Sequence, residues 1–79
     1  MNKHIKEYKA FLEDELNRGK EYSRILDEID IKLHEIKAIA EYALNNELNK
    51  EEINRMNAQL LTLKKEITNL ERGLNYTVH

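Results

Sequence analysis

Apolar residues with one strict spacing fill the C-terminal part of the chain. They follow one another at alternating intervals of three and four residues: Ile53, Met56, Leu60, Leu63, Ile67, Leu70 and Leu74. Alternation of this kind is the heptad pattern of a coiled coil, in which the apolar a and d positions of one helix pack against another helix. The pattern therefore predicts a long helix with a second helix packed along it.

A matching row with the same alternation precedes this one: Tyr22, Leu26, Ile29, Leu33, Ile36, Ala40 and Ala43. If the chain folds back antiparallel about residue 48, the two rows face each other and Leu33 meets Leu63 at the centre. The sequence therefore predicts an all-α fold built on an antiparallel coiled-coil hairpin, with helices over about residues 21–45 and 50–73.

Local signals place the turn independently of the two rows. Asn49 and Glu52 have the spacing of a capping box, and Leu48 and Ile53 can form the hydrophobic staple that accompanies it. Asn46 suits the left-handed residue that often ends a helix. The first helix is therefore expected to end just before this stretch and the second to start just after Asn49.

Charges on the flanks of the two rows agree with the hairpin. The antiparallel register sets Lys32 beside Glu66 and Asp30 beside Lys64, which are pairs of opposite charge. In a parallel dimer of the second helix alone, Glu66 would instead face Glu71. Exposed ion pairs contribute little stability, about 0.2–1 kcal/mol each, so their expected role is to select the register.

The first residues predict a further amphipathic helix, over about residues 3–18. Its apolar stripe consists of Ile5, Tyr8, Leu12 and Leu16, with Phe11 at the edge. Gly19 costs about 1 kcal/mol inside a helix and is common just after one, which favours a fold-back onto the hairpin flank that carries Ile25 and Ile39. The alternative is one continuous helix, favoured by the lack of an N-cap before Glu21. Its exposed stripe would then need a partner chain, as in a dimer.

Composition bounds the class of protein. The 79 residues include no Cys and no Pro, and 41% are hydrophobic and 35% charged, which is typical of a small helical domain. We therefore expect a single domain over residues 1–79, with an N-terminal helix in 1–19 and the hairpin in 20–79. No apolar run approaches the ~20 residues of a membrane span, and no signal peptide is evident. A cytoplasmic location without membrane contact is expected.

No motif for chemistry is present. The sequence has no Gly-rich phosphate loop and no H-E-x-x-H, and Asp30 and His34 are only two potential ligands on one helix face. We expect no enzymatic activity, no cofactor and no metal. The formal net charge is −2, and the acidic excess lies in residues 21–48. A protein that binds a nucleic-acid duplex needs a concentrated basic face instead. Nucleic acid is therefore not an expected partner.

The layout of residues 22–74 resembles two kinds of helical hairpin. One is the family of small sporulation phosphatases that act on phosphorylated response regulators and carry a Ser-Gln-x-x-Asp signature. The comparable stretch here reads MNAQLLTL, in which Gln59 lacks both the Ser and the Asp, so the activity does not carry over. The other is the family of WXG secreted hairpins, but this sequence has no Trp. Neither resemblance assigns a family.

Apolar residues outside the two rows suggest the function. A contact surface is expected from Tyr8, Phe11, Leu12, Ile25, Ile31, Ile39, Tyr42 and Leu61. The sequence therefore favours a non-catalytic interaction module, a small cytosolic regulator or adaptor that binds a larger protein and also forms a homodimer. The alternative is a structural homo-oligomer whose assembly is its function. A response-regulator phosphatase and a DNA-binding protein are less favoured.

Overall fold

The chain forms two helices, α1 over Lys3–Asn45 and α2 over Lys50–Val78. The computed structural model describes residues 2–78, with side-chain surroundings over residues 2–76, and this part of the chain contains no strand. The molecule measures 71 Å by 17 Å by 12 Å. Its radius of gyration is 20.0 Å, against about 12 Å for a compact domain of this length. The fold is a rod whose long dimension is that of α1.

Asn49 caps α2 in the predicted capping box. The Glu52 backbone N–H donates to Asn49 Oδ1 at 2.8 Å, and the Asn49 N–H donates to Glu52 Oε1 at 3.4 Å. The first helical backbone bond, from the Ile53 N–H to the Asn49 carbonyl, measures 3.0 Å. The predicted helix start is therefore confirmed. The turn between the helices follows from this cap.

Asn46 ends α1 in a different way from the one expected. Its backbone is extended, with φ −134° and ψ 144°, so the predicted left-handed conformation was wrong. The Asn46 side-chain amide donates to the Tyr42 carbonyl at 2.8 Å. A helix end leaves its last carbonyls without partners, and this bond satisfies one of them without a left-handed residue.

Two contacts between the helices establish an antiparallel register. Lys32 Nζ lies 2.6 Å from the Glu66 carboxylate, so this predicted pair is confirmed. The Ile25 side chain lies over Gly73, where an added Cβ would come within 3.2 Å of Ile25 Cδ1. The residue numbers of each pair add up to 98, as they do when two antiparallel helices keep one register. This register sets the end of α2 level with residue 20 of α1.

The face of α1 that meets α2 is rotated from the predicted face. It consists of the buried Ile25 and the half-buried Ile29, Lys32, Ile36, Ile39 and Ala43. Four residues that were predicted to lie in the interface are exposed, Leu33 at 51%: Tyr22, Leu26, Leu33 and Ala40. The row on α2 is confirmed from Met56 to Leu74, whereas Ile53 is exposed.

Gly73 explains the rotation physically. Because it has no side chain, α1 can place Ile25, only 4% exposed, directly over it. Lys32 then enters the interface, where its alkyl stem covers apolar surface while the ammonium reaches Glu66. The same rotation turns Asp30 away from α2. The predicted pair of Asp30 with Lys64 is not among the ion pairs of the described residues.

The separate N-terminal helix and its fold-back were wrong. Residues 3–18 continue without a break into α1, which is the alternative arrangement. Ile25 and Ile39, which were to seat a folded-back helix, pack under α2 instead. Since α2 ends level with residue 20, residues 3–19 project beyond it; we call this segment the overhang.

Leu63 is the test of the interface, because it is 6% exposed at the centre of α2. Leu63→Ala should lower the free energy of unfolding by ~2–5 kcal/mol, through lost burial and the cavity left behind. Leu61→Ala, at an exposed neighbour on the same helix, should change it by less than about 0.5 kcal/mol. Urea denaturation measures both. A loss below that bound for Leu63 would mean that the interface is misassigned.

The Lys32–Glu66 contact should appear in the pH dependence of stability. The hydrogen bond to Glu66 raises the pKa of Lys32 above the ordinary lysine value of 10.5. A group with a raised folded-state pKa contributes stability below its unfolded pKa and loses it as the pH rises through the folded value. The stability of the wild type relative to Lys32→Met should therefore fall as the pH is raised past 10.5. A constant difference would contradict the contact.

Candidate functional site

The rotation of α1 leaves one of its apolar rows uncovered. The members of this row recur every seven residues: Ile5, Leu12, Gly19, Leu26 and Leu33, with the exposed Ala40 one heptad further on. All five are exposed, including Leu26 at 43% and Leu33 at 51%. A strict seven-residue repeat stays on one side of a gently supercoiled helix. We call this set the free row; it runs from the overhang onto the part of α1 that lies beside α2.

Aromatic residues flank the free row on the overhang. Tyr8 and Phe11 are exposed, Phe11 at 56%, together with Leu16. Phe11 precedes Ile25 by two heptads, so it lies on the side of α1 on which α2 packs further along. There α2 has already ended, and Phe11 has no α2 residue opposite it. The overhang is therefore amphipathic, and among the described residues none covers its apolar side.

Ion pairs within the helix support the overhang in place of tertiary contacts. They join Lys3 to Glu7 and Lys9 to Glu13, each at 4.0 Å, and Arg18 to Glu15 at 3.5 Å. Such pairs stabilise an isolated helix by about 0.2–0.5 kcal/mol each. Just past the overhang, Glu21 and Arg24 form two hydrogen bonds of 2.7 and 3.1 Å. These bonds lower the pKa of Glu21 and raise that of Arg24.

The expected contact residues separate into groups. Tyr8, Phe11 and Leu12 lie together on the overhang, whereas Ile31 and Leu61 are exposed singly on α1 and α2. Ile25 is buried under α2 and therefore leaves the surface. The remaining two, Ile39 and Tyr42, line an open groove beside the turn, with Ala38, Leu48 and Met56 as its other apolar residues. We call this the turn groove.

Sequence reasoning missed the middle of the free row. Leu26 and Leu33 were assigned to the hairpin interface, so their place on an exposed surface was not foreseen. A signal was available: the hairpin part of α1 carries apolar residues at three heptad positions, represented by Leu26, Ile29 and Ile25. One partner helix covers about two such positions, so a third one indicates a second partner.

The candidate metal ligands are engaged with each other. His34 Nδ1 donates to the Asp30 backbone carbonyl at 2.8 Å and lies 3.6 Å from the Asp30 carboxylate. Within residues 2–78, no group of three or more His, Cys, Asp or Glu side chains is arranged to hold a metal ion. Over the same residues, neither helix has the length and apolar character that crossing a membrane requires.

Comparisons with protein-family models, with curated proteins and with solved structures find no match to this chain. Within the described residues, the grouped apolar surfaces include the free row, with the aromatic residues of the overhang, and the turn groove at the other end of the rod.

Proposed function

We propose that this protein is a non-catalytic helical interaction module, a small regulator or adaptor that works by binding a larger protein. The observation that carries the proposal is the imbalance between core and surface. Within the described residues only Ile25 and Leu63 are buried apolar residues, while fourteen large hydrophobic side chains are exposed. Burying apolar surface yields about 25 cal/mol per Å², so apolar residues that are grouped along the free row, the overhang and the turn groove favour association.

The larger protein is assigned to the turn groove. Tyr42 and Met56 lie in this groove, with Glu52 and Arg55 also lining it. An aromatic residue buries much area at a small rotamer cost, and methionine adapts its shape to a partner. An apolar centre with charged residues around it is the usual anatomy of a protein interface. An adaptor role follows, because the groove and the overhang lie at opposite ends of the rod, ~50 Å apart along α1.

A photo-cross-linking residue at Tyr42 tests this assignment. In cells that make the protein naturally, it should form an adduct heavier than two 9.4 kDa chains. The control is the same residue at Leu44, which is 85% exposed near the turn but does not line the groove. Equal adducts from both positions, or adducts of this chain alone, would contradict the adaptor role. Adducts of the chain alone would favour the structural homo-oligomer.

Phe11 tests the overhang as a second contact surface. Phe11→Ala should weaken association through the overhang by more than ~1 kcal/mol and leave helicity unchanged. Ile31→Ala is the matched control, since Ile31 is also 56% exposed but lies on the opposite side of α1 from the free row. Sedimentation measures association, and circular dichroism measures helicity. Lost stability with unchanged association would remove Phe11 from the surface.

A further inference from the structure

Gly19 is a glycine that the chain itself does not need. It lies inside α1 with an ordinary helical backbone, and a Cβ added there would meet nothing within 4 Å. A glycine in a helix interior costs about 1 kcal/mol relative to alanine. Gly73 differs, because Ile25 packs against it. A close approach from outside the chain would give Gly19 a role, since two helix backbones come nearest where side chains are absent.

The large apolar residues of the free row lie symmetrically about Gly19. Leu12 and Leu26 stand one heptad to either side of it, and Ile5 and Leu33 stand two heptads to either side. An interface with two-fold symmetry requires that, if one residue faces a second, the second also faces the first. We propose that a second copy of this chain packs antiparallel along α1 and crosses it at Gly19. Ile5 then faces Leu33 of the second copy, and Leu12 faces Leu26 of the second copy.

Charges beside the free row match this arrangement. Lys9 and Asp30 both follow the row by four residues, since they come after Ile5 and Leu26, so they flank the same side of it. In the antiparallel pair this side of one copy faces the same side of the other. Lys9 then lies beside Asp30 of the second copy, twice by symmetry.

The other side of the free row meets the second copy's hairpin. Tyr8 and Phe11 lie on the side of α1 on which α2 packs. By the two-fold symmetry, they therefore face the edge between α1 and α2 of the second copy, near its Leu70. Each overhang thus becomes a third helix on the other copy's hairpin. This covers the apolar side that the monomer exposes, and a two-fold pair with this crossing closes without leaving a free overhang.

This inference rests on the proposed function only in treating the free row as a contact surface, and cysteine cross-linking tests it. The natural chain has no cysteine, so a single one reports one contact. Gly19→Cys should oxidise to a disulfide dimer, because disulfides need Cα atoms about 4.4–6.8 Å apart. Asn17→Cys, which lies on the opposite side of α1, should not.

Direction and register have their own test. A mixture of Leu12→Cys and Leu26→Cys chains should form the mixed disulfide. Leu12→Cys alone should stay reduced, since the two copies of residue 12 would be about 21 Å apart along the pair. Light scattering on the natural chain at micromolar concentration should show a mass of two 9.4 kDa chains.

Three results would overturn the antiparallel dimer. They are a monomer at every concentration, a disulfide from Leu12→Cys alone, which signals a parallel pair, and equal oxidation of the Gly19→Cys and Asn17→Cys chains. None of these changes the Tyr42 cross-linking result, which depends on the turn groove. Failure of the dimer and failure of the adaptor role are therefore distinguishable.

Discussion

The contact of Ile25 with Gly73 decides how α1 is rotated about its own axis, and the exposed surface follows from that rotation. A glycine on α2 removes a side chain from one edge of the interface, so α1 leans toward that edge, buries Ile25 there and half-buries Ile29, Ile36 and Ile39. Lys32 is drawn into the same edge and stays charged beside Glu66. The leucines on the opposite edge, Leu26 and Leu33, are left outside.

The unequal lengths of the two helices explain the overhang. With 43 residues in α1 and 29 in α2, a hairpin in this register leaves the start of α1 without a neighbour. Helices in water obtain most of their stability from packing one apolar side, and ion pairs along the overhang replace only a small part of it. The free row extends from this overhang into the hairpin, so a single partner helix can cover both. In the proposed two-fold dimer, the overhang of each copy packs on the hairpin of the other, so the free row of both copies is covered.

Much of the hairpin could be predicted because its signals are local. The cap at Asn49 needs only Glu52 three residues later, and the spacing on α2 needs only one helix to be periodic. The pairing of Lys32 with Glu66 follows once the turn is placed. The predictions for α1, its interface face and its N-terminal break, were wrong. This helix has apolar residues at three heptad positions, so the spacing alone allows two different faces of it to meet α2.

By itself the sequence determined the helical periodicity, the place of the turn and, once the chain folds back there, the pairing of Lys32 with Glu66, because backbone capping and heptad spacing are short-range properties. It also determined that α1 carries more apolar surface than one neighbour can bury. Only the tertiary structure decided which face of α1 is covered and whether the chain continues through Gly19. The covered face depends on how side chains fit between the helices, above all Ile25 over Gly73. The continuity of α1 depends on the backbone hydrogen bonds of a long helix, which outweigh the cost of one glycine.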